Sequence, residues 1–171
     1  MRIGICELAY IPLRSGMSHK SEMVNQLLFG ELVEIQIHKE DWTKVKTLHD
    51  DYEGWVDTTT LTFLDKEDKL IEEFKNAYRL HQTLEITVND TPILLPNGAV
   101  LPKNKKEFHI NDNKYQIPKS FKFLSFDNKA ECIIKHAHDL LNSPYLWGGR
   151  TAWGLDCSGF SQYLYSLVGI Q

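Results

Sequence analysis

The sequence predicts an α+β protein in which two small β-barrels precede a helical segment. Short apolar runs separated by turn residues fill residues 7–64, and the same style returns over residues 84–123. From about Asp127 onward the apolar residues instead recur at helical spacing. The chain of 171 residues is long enough for one medium domain or two to three small ones.

Residues 1–64 are predicted to form the first barrel. Apolar side chains alternate along residues 32–37 and again along residues 42–48, which is the period of a β-strand. The polar residues 38–41 between them are typical of a hairpin turn. Several short strands in so short a segment favour a small barrel.

Residues 65–83 are predicted to be a linker helix, because Leu70, Phe74 and Tyr78 recur at helical spacing within a charged sequence. Strand-like runs return over residues 84–125, interrupted by turn residues at 96–98 and 111–113. This segment is predicted to form the second barrel.

Residues 126–171 are predicted to contain two helices. Asp127 or Asn128 is expected to cap a helix that runs through Leu141. A second helix is expected from about Ser158 to Val168, before Gly169. The loop between them is dense in glycine and tryptophan.

Composition excludes several function classes. No apolar run approaches the roughly 20 residues that a membrane helix needs, so no membrane partner is expected. The net charge of -4 leaves no basic excess for a nucleic acid partner.

The three cysteines are odd in number and far apart, which favours a reducing compartment. The N-terminus lacks a signal-peptide pattern, so a cytoplasmic location is expected.

Cys157 occupies a chemically distinctive position. With Asp156 as N-cap, the thiol falls in the first turn of a helix, where unpaired amides and the helix dipole stabilise an anionic thiolate. The same amides are placed to hold a developing oxyanion. The alternative is that Cys157 is a small packing residue on an amphipathic helix, the usual role of a lone cysteine.

The motifs PYLWGG and DCSGF, in this order and spacing, resemble the signature of NlpC-like cysteine peptidases, which are bacterial relatives of papain that cut cell-wall peptides. The resemblance covers about the last 45 residues and implies that residues 126–171 begin a papain-like catalytic domain. It implies that Cys157 is the nucleophile and that Tyr145 lines the site. It also implies that Asp156 and Ser158 bind the amino end of the substrate.

The segments FGELVEI, DWTKVKT and YEGWV resemble a bacterial SH3-like domain, and both barrels are therefore expected to be SH3-like. The whole layout is similar to that of enzymes that recycle murein peptides. The resemblance implies a murein tripeptide or tetrapeptide with a free L-alanine amine, cleaved between D-glutamate and the diamino acid. Glu22 would meet that amine from the first domain; the alternative is a solvated loop glutamate.

A thiol peptidase also needs a base and a group that orients the base. In the family both follow the cysteine by many tens of residues, whereas none of the 14 residues after Cys157 is a histidine. His136 and His138 precede Cys157 and are expected to be surface or packing residues. The sequence therefore predicts the front part of a longer enzyme, inactive as given.

No metal site or other cofactor is expected. Cys132, His136 and His138 occupy positions i, i+4 and i+6 of one helix, so they cannot converge with Cys157 on one ion. Two functions stay open: a cysteine endopeptidase, or a binding module whose SH3-like pair recognises cell-wall peptide beside an inert catalytic remnant. The sequence leaves the oligomeric state and the preferred diamino acid open.

Overall fold

The computed structural model describes residues 2–64, 69–75 and 77–170. Antiparallel strands come first and two longer helices come last, which confirms the α+β prediction. No helix among the described residues is long and apolar enough to cross a membrane.

The first part of the chain forms one seven-stranded antiparallel sheet in the order β3-β2-β6-β5-β4-β1-β7. The predicted hairpin is confirmed as β4 paired with β5, and its turn residue Glu40 has a φ of 55°. Thr43, Val45 and Thr47 alternate inward along β5, so Val45 is buried as predicted, whereas Trp42 lies on the opposite face and is half-buried. The strands are β1 (Arg2–Ile5), β2 (Tyr10–Arg14), β3 (Met23–Leu28), β4 (Leu32–Lys39), β5 (Trp42–Thr47), β6 (Glu53–Asp57) and β7 (Thr62–Leu64), with a 3-10 helix at Thr58–Thr60.

The middle of the chain is a short helix, a four-stranded sheet in the order β10-β9-β13-β12, and a two-stranded pair β8-β11. The second SH3-like barrel stays a prediction. The linker helix is shorter than predicted, because Tyr78 lies in β8 opposite Leu101; residues 65–68 and 76 of that prediction lie outside the described residues. The elements are α1 (Lys69–Lys75), β8 (Tyr78–Arg79), β9 (Leu84–Val88), β10 (Thr91–Leu95), β11 (Val100–Leu101), β12 (Glu107–Ile110) and β13 (Asn113–Gln116).

A shared apolar core joins the two sheets. The rings of Phe108 and Tyr115 are stacked 5.0 Å apart, and Phe29 of the first segment meets Tyr115 edge-on at 5.4 Å. The Tyr115 hydroxyl also donates to Glu7 Oε2 at 2.6 Å. Burying three aromatic rings in one cluster fixes the second sheet against the first.

The close approach of these two parts depends on Gly30. This residue has a φ of 78°, and a Cβ there would lie 2.2 Å from the Val100 carbonyl oxygen. Phe29 O accepts from Val100 N at 2.7 Å, so the backbones of the two segments are hydrogen-bonded at that turn.

The last part carries α2 (Lys129–Asp139), a hairpin of β14 (Arg150–Thr151) and β15 (Gly154–Leu155), and α3 (Cys157–Leu167). Asn128 caps α2 by accepting from Ala130 N at 3.0 Å and Glu131 N at 3.3 Å, which confirms one of the two predicted caps. The two helices pack through Leu140, Tyr163 and Leu164. The β14–β15 hairpin therefore leads directly into α3, and packing against α2 stabilises α3.

Candidate active site

Cys157 is the first residue of α3 and is exposed, whereas Cys6 and Cys132 are buried. The predicted N-cap is confirmed, since Asp156 Oδ1 accepts from Gly159 N and from Ser158 Oγ, each at 2.7 Å. The alternative that Cys157 is a buried packing residue is wrong. Its thiol stands at a capped helix start, where the helix dipole favours an anion.

The carboxyl of Asp156 is itself buried. Burial alone would raise its pKa, but hydrogen bonds from Gly159 N–H, the Ser158 hydroxyl and Gly148 N–H outweigh burial and hold the pKa below its usual range. The Asp156 side chain is therefore an anion at neutral pH, next to Cys157 in the chain.

The loop before Asp156 folds back tightly on the helix start. A Cβ on Gly159 would lie 2.0 Å from the Gly149 carbonyl oxygen, so only glycine fits this contact. Asp156 Oδ2 accepts from Gly148 N at 2.8 Å, and Asp156 N donates to Gly149 O at 3.2 Å. The two glycines of the PYLWGG motif thus hold the loop against the cap of α3.

The same loop lies along β3 of the first sheet. Gly148 has a φ of 73°, and a Cβ there would lie 2.5 Å from the Met23 carbonyl oxygen. Arg150 N donates to Gln26 Oε1 at 2.8 Å, and Arg150 Nη1 donates to Gln26 O at 2.7 Å. The first sheet is therefore one wall of the region around Cys157.

A buried ionic cluster fixes that wall. Arg150 binds Glu31 with both of its terminal nitrogens, Nη1 to Oε2 at 3.0 Å and Nη2 to Oε1 at 3.1 Å. Arg79 Nη1 adds a third contact to Glu31 Oε1 at 2.8 Å, and Leu28 N donates to Oε2 at 2.9 Å. One carboxylate thus joins the first sheet, the strand β8 and the loop before Cys157.

Glu31 is ionised in this cluster. Burial opposes the charge, but Arg150, His49 and Arg79 outweigh burial and hold the pKa of Glu31 well below its usual range. His49 Nε2 lies 3.5 Å from Glu31 Oε1 and 3.3 Å from Arg150 Nη2. The buried ion pair of Glu31 with Arg150 therefore holds the loop in place and is little screened by solvent.

Glu22 is exposed, and its carboxylate accepts from the indole Nε1 of Trp147 at 2.7 Å. The Tyr52 hydroxyl donates to Val24 O at 3.2 Å. Burial raises the pKa of Tyr52, and the charges of Asp156 and Glu22 raise it further, which places the phenol within electrostatic range of both carboxylates. Glu22 and Asp156 bind adjacent residues of the loop, Trp147 and Gly148, and this pair of carboxylates is called the acidic rim.

The other predicted site residues also lie near the cap. Tyr145 is 68% exposed, and its backbone pairs with Leu155, two residues before Cys157. The Ser158 hydroxyl is bound to Asp156. The structure thus brings Tyr145, Asp156, Cys157 and Ser158 to one hairpin and helix start.

The two histidines occupy a buried and a surface position, as the sequence predicts. His136 is buried and contacts His81 and Asp139, whereas His138 is exposed. Within residues 2–64, 69–75 and 77–170, no histidine is hydrogen-bonded to the Cys157 thiol.

Sequence reasoning missed Trp147, Gln26, Glu31 and Arg150 as site-forming residues. Trp147 and Arg150 stand within or directly after the PYLWGG motif, which was a signal for them. Glu31 stands within the FGELVEI segment, but nothing local predicts its partner Arg150, and Gln26 has no such signal, because each pairs with Arg150 more than a hundred residues away in the chain.

Two family profiles match the chain. Residues 13–61 match the family described as "Bacterial dipeptidyl-peptidase Sh3 domain", and residues 142–171 match the NlpC/P60 family. The chain is NlpC/P60-like and carries an N-terminal SH3-like domain. The matched segments contain the β3 wall and the hairpin with Cys157, which are the two sides of the site.

Curated relatives align with most of this NlpC/P60-like chain. It is 29% identical to a γ-D-glutamyl-L-lysine dipeptidyl-peptidase of Bacillus cereus, over 90% of this chain and 53% of the relative. It is 27% identical to dipeptidyl-peptidase 6 of Lysinibacillus sphaericus, over 88% of this chain and 64% of the relative. The chain therefore spans about half to two thirds of the length of these relatives.

Solved structures share the fold. A NlpC/P60 family protein from Bacillus cereus superposes with a TM-score of 0.73 at 16% identity, covering 96% of this chain and 72% of that protein. An NlpC/P60 endopeptidase from Photobacterium damselae subsp. piscicida gives a TM-score of 0.71 at 21% identity, covering 98% and 43%. The arrangement of the sheets and the helix pair is thus a known one.

We predict that Glu31→Gln lowers the free energy of unfolding at pH 7 by about 3–5 kcal/mol, because Arg79 and Arg150 stay buried without an anion. The control is Glu53→Gln, which removes the exposed ion pair of Glu53 with Lys44 at 2.7 Å and is expected to have a much smaller effect. Urea unfolding measures both variants.

The effect of Glu31→Gln should depend on pH. Because the pKa of Glu31 is lowered in the folded state, its contribution is complete above the unfolded-state value of about 4.3 and is lost as the pH falls toward the folded-state value. A loss no larger than that of Glu53→Gln, or one that does not shrink in acid, would contradict this account.

We predict that iodoacetamide labels Cys157 far faster than Cys6 or Cys132 near pH 6. Only Cys157 is exposed, and burial raises the pKa of the other two thiols. Peptide mass spectrometry over time measures the three rates. The control is Cys157 in urea-unfolded protein, which has lost the helix start; equal rates in folded and unfolded protein would show that the helix does not activate the thiol.

Proposed function

We propose that the protein is a cysteine endopeptidase that cleaves the D-glutamyl–diamino acid bond of murein tripeptides or tetrapeptides with a free L-alanine amine. The observation that carries this proposal is the acidic rim of Glu22 and Asp156 beside the exposed Cys157. A rim of two carboxylates suits an ammonium group, and an exposed thiol at a helix start suits an acyl acceptor.

The names of the relatives support the same substrate class. The Bacillus cereus relative is named for a γ-D-glutamyl-L-lysine bond, and both curated relatives are named dipeptidyl-peptidases. A dipeptidyl-peptidase recognises a free amino end two residues before the cut. That requirement is what Glu22 and Asp156 would meet in this chain.

The proposed reaction begins with attack of the Cys157 thiolate on the D-glutamyl carbonyl carbon. The carbonyl oxygen becomes an oxyanion, and the backbone N–H of Cys157 is the candidate donor to it, because Asp156 already accepts from the N–H groups of Gly159 and Phe160. The C–N bond then breaks, the diamino acid leaves as a protonated amine, and water hydrolyses the thioester. Removal of the thiol proton and protonation of the leaving amine need a general base and a general acid.

Residues 1–171 contain no histidine after Cys157, so a protein limited to them is expected to be inactive.

Each remaining site residue has a role in substrate selection. Asp156 and Glu22 bind the ammonium, and Ser158 and Tyr145 contact the first residues of the peptide. Trp147 holds Glu22 in place through its indole N–H. Acetylation of the substrate would remove the ammonium and with it the charge attraction to the two carboxylates, which is how a free amino end is selected. We also propose a cytoplasmic location, where such peptides are recycled.

We predict that Glu22→Gln, in the natural full-length enzyme, lowers kcat/KM for L-alanyl-γ-D-glutamyl-L-lysine by about thirtyfold or more, which corresponds to about 2 kcal/mol. Turnover of the N-acetylated peptide should be low and unchanged by the substitution. The control is Glu40→Gln, an exposed glutamate at the turn between β4 and β5.

Two outcomes would count against the proposal in different ways. Equal losses on the free and acetylated peptides would remove Glu22 from amine recognition. Tight peptide binding without any turnover by the full-length protein, unchanged by Cys157→Ala, would favour a binding module over an enzyme.

A further inference from the structure

Three buried side chains outside the peptidase site meet at one point. His81, Cys132 and His136 each offer one ligand atom, and these atoms all lie within 4.8 Å of one another. The three residues are 8%, 1% and 4% exposed. Cys132 and His136 are one turn apart on α2, and His81 follows β8 closely, so the cluster joins two separate parts of the chain.

The two imidazole rings face each other through their nitrogens. His81 Nδ1 lies 3.1 Å from His136 Nε2, and His136 Nδ1 lies 3.0 Å from Asp139 Oδ2. Asp139 therefore accepts a hydrogen bond from His136 Nδ1–H, which leaves the lone pair of the neutral ring on Nε2, facing His81. A carboxylate behind one ring nitrogen is the pattern that orients metal-binding histidines.

Both rings are in the form that binds metal. Burial lowers the pKa of His81 to about 4, and burial also lowers the pKa of His136, so both imidazoles are neutral at neutral pH. Without an ion, His81 Nδ1–H donates to His136 Nε2. The thiol of Cys132 is the third donor and is protonated, because burial raises its pKa.

We propose that His81 Nδ1, Cys132 Sγ and His136 Nε2 bind one Zn²⁺ ion. Two imidazoles and a thiolate suit zinc and exclude magnesium and calcium, which prefer oxygen ligands. In a tetrahedral zinc site two nitrogens lie about 3.3 Å apart, close to the 3.1 Å between the two rings. Sulfur and nitrogen lie about 3.6 Å apart in such a site. The ligand atoms here lie within 4.8 Å of one another, so the distance from Cys132 Sγ to each nitrogen has to shorten by about 1.2 Å at most.

Binding of one Zn²⁺ ion would release one proton. The Cys132 thiol loses its proton to solvent, His81 carries its proton on Nε2 instead of Nδ1, and His136 keeps the Nδ1 proton that Asp139 accepts. His81 also lines a cavity of about 710 Å³. The aromatic ring of Phe126 covers the cluster at 4.7 Å from His81 and 5.5 Å from His136.

This site differs from the four-residue set that the sequence ruled out. His138 is exposed and points away from the cluster, as its i+6 position predicts, and Cys157 lies on α3. His81 replaces them, and only the fold shows that it meets α2. The ion would link the end of β8 to α2 and would act as a structural brace.

The test is titration of the metal-free full-length protein with Co²⁺, in a Cys157→Ser background that removes the exposed thiol able to bind Co²⁺ outside the proposed site. The expected signals are a thiolate-to-cobalt band in the near ultraviolet, tetrahedral d–d bands and release of one proton, with Zn²⁺ displacing the cobalt. Cys132→Ser should abolish the thiolate band.

Two surface variants test the site without altering its packing. Asp139→Ala should weaken Co²⁺ affinity by about 10- to 100-fold, whereas His138→Ala, a histidine on the same helix, should leave it unchanged. Absence of the thiolate band, its persistence in Cys132→Ser, or equal losses in Asp139→Ala and His138→Ala would overturn the proposal.

Discussion

The pairing of Glu31 with Arg150 is the interaction on which the rest of the site depends. Glu31 is buried in the turn between β3 and β4, and its two oxygens bind Arg150 of β14 and Arg79 of β8. A buried carboxylate with bidentate geometry and further donors is one of the few ion pairs that tolerate burial. Because all three partners come from distant parts of the chain, the pair forms only when the whole arrangement does.

The acidic rim follows from that pairing. Arg150 holds the loop along β3, where Gly148 packs against Met23, and this places Trp147 within 2.7 Å of Glu22. Asp156, which caps α3, binds Gly148 of the same loop and therefore lies next to the residue that binds Glu22. Amine selectivity in the proposed enzyme is thus a consequence of how an SH3-like sheet docks on an NlpC/P60-like hairpin.

Local features could be predicted from sequence because they depend on neighbouring residues. The Asp156 cap, the hairpin of β4 and β5, and the turn after β12 follow from periodicity and turn chemistry alone. The linker helix was predicted too long, because Tyr78 satisfies its backbone by pairing with Leu101. Glu31 with Arg150 and His81 with His136 could not be predicted, since each pair needs the packing of two sheets and a helix.

The most direct measurement is a double-mutant cycle on Glu31 and Arg150, using Glu31→Gln, Arg150→Met and the double variant, with free energies of unfolding from urea titration at pH 7. The account predicts that the double variant is destabilised by less than the sum of the single variants, by roughly 1–3 kcal/mol. Additivity within about 0.5 kcal/mol would contradict it, because it would mean that the two charges do not hold the sheet and the loop together.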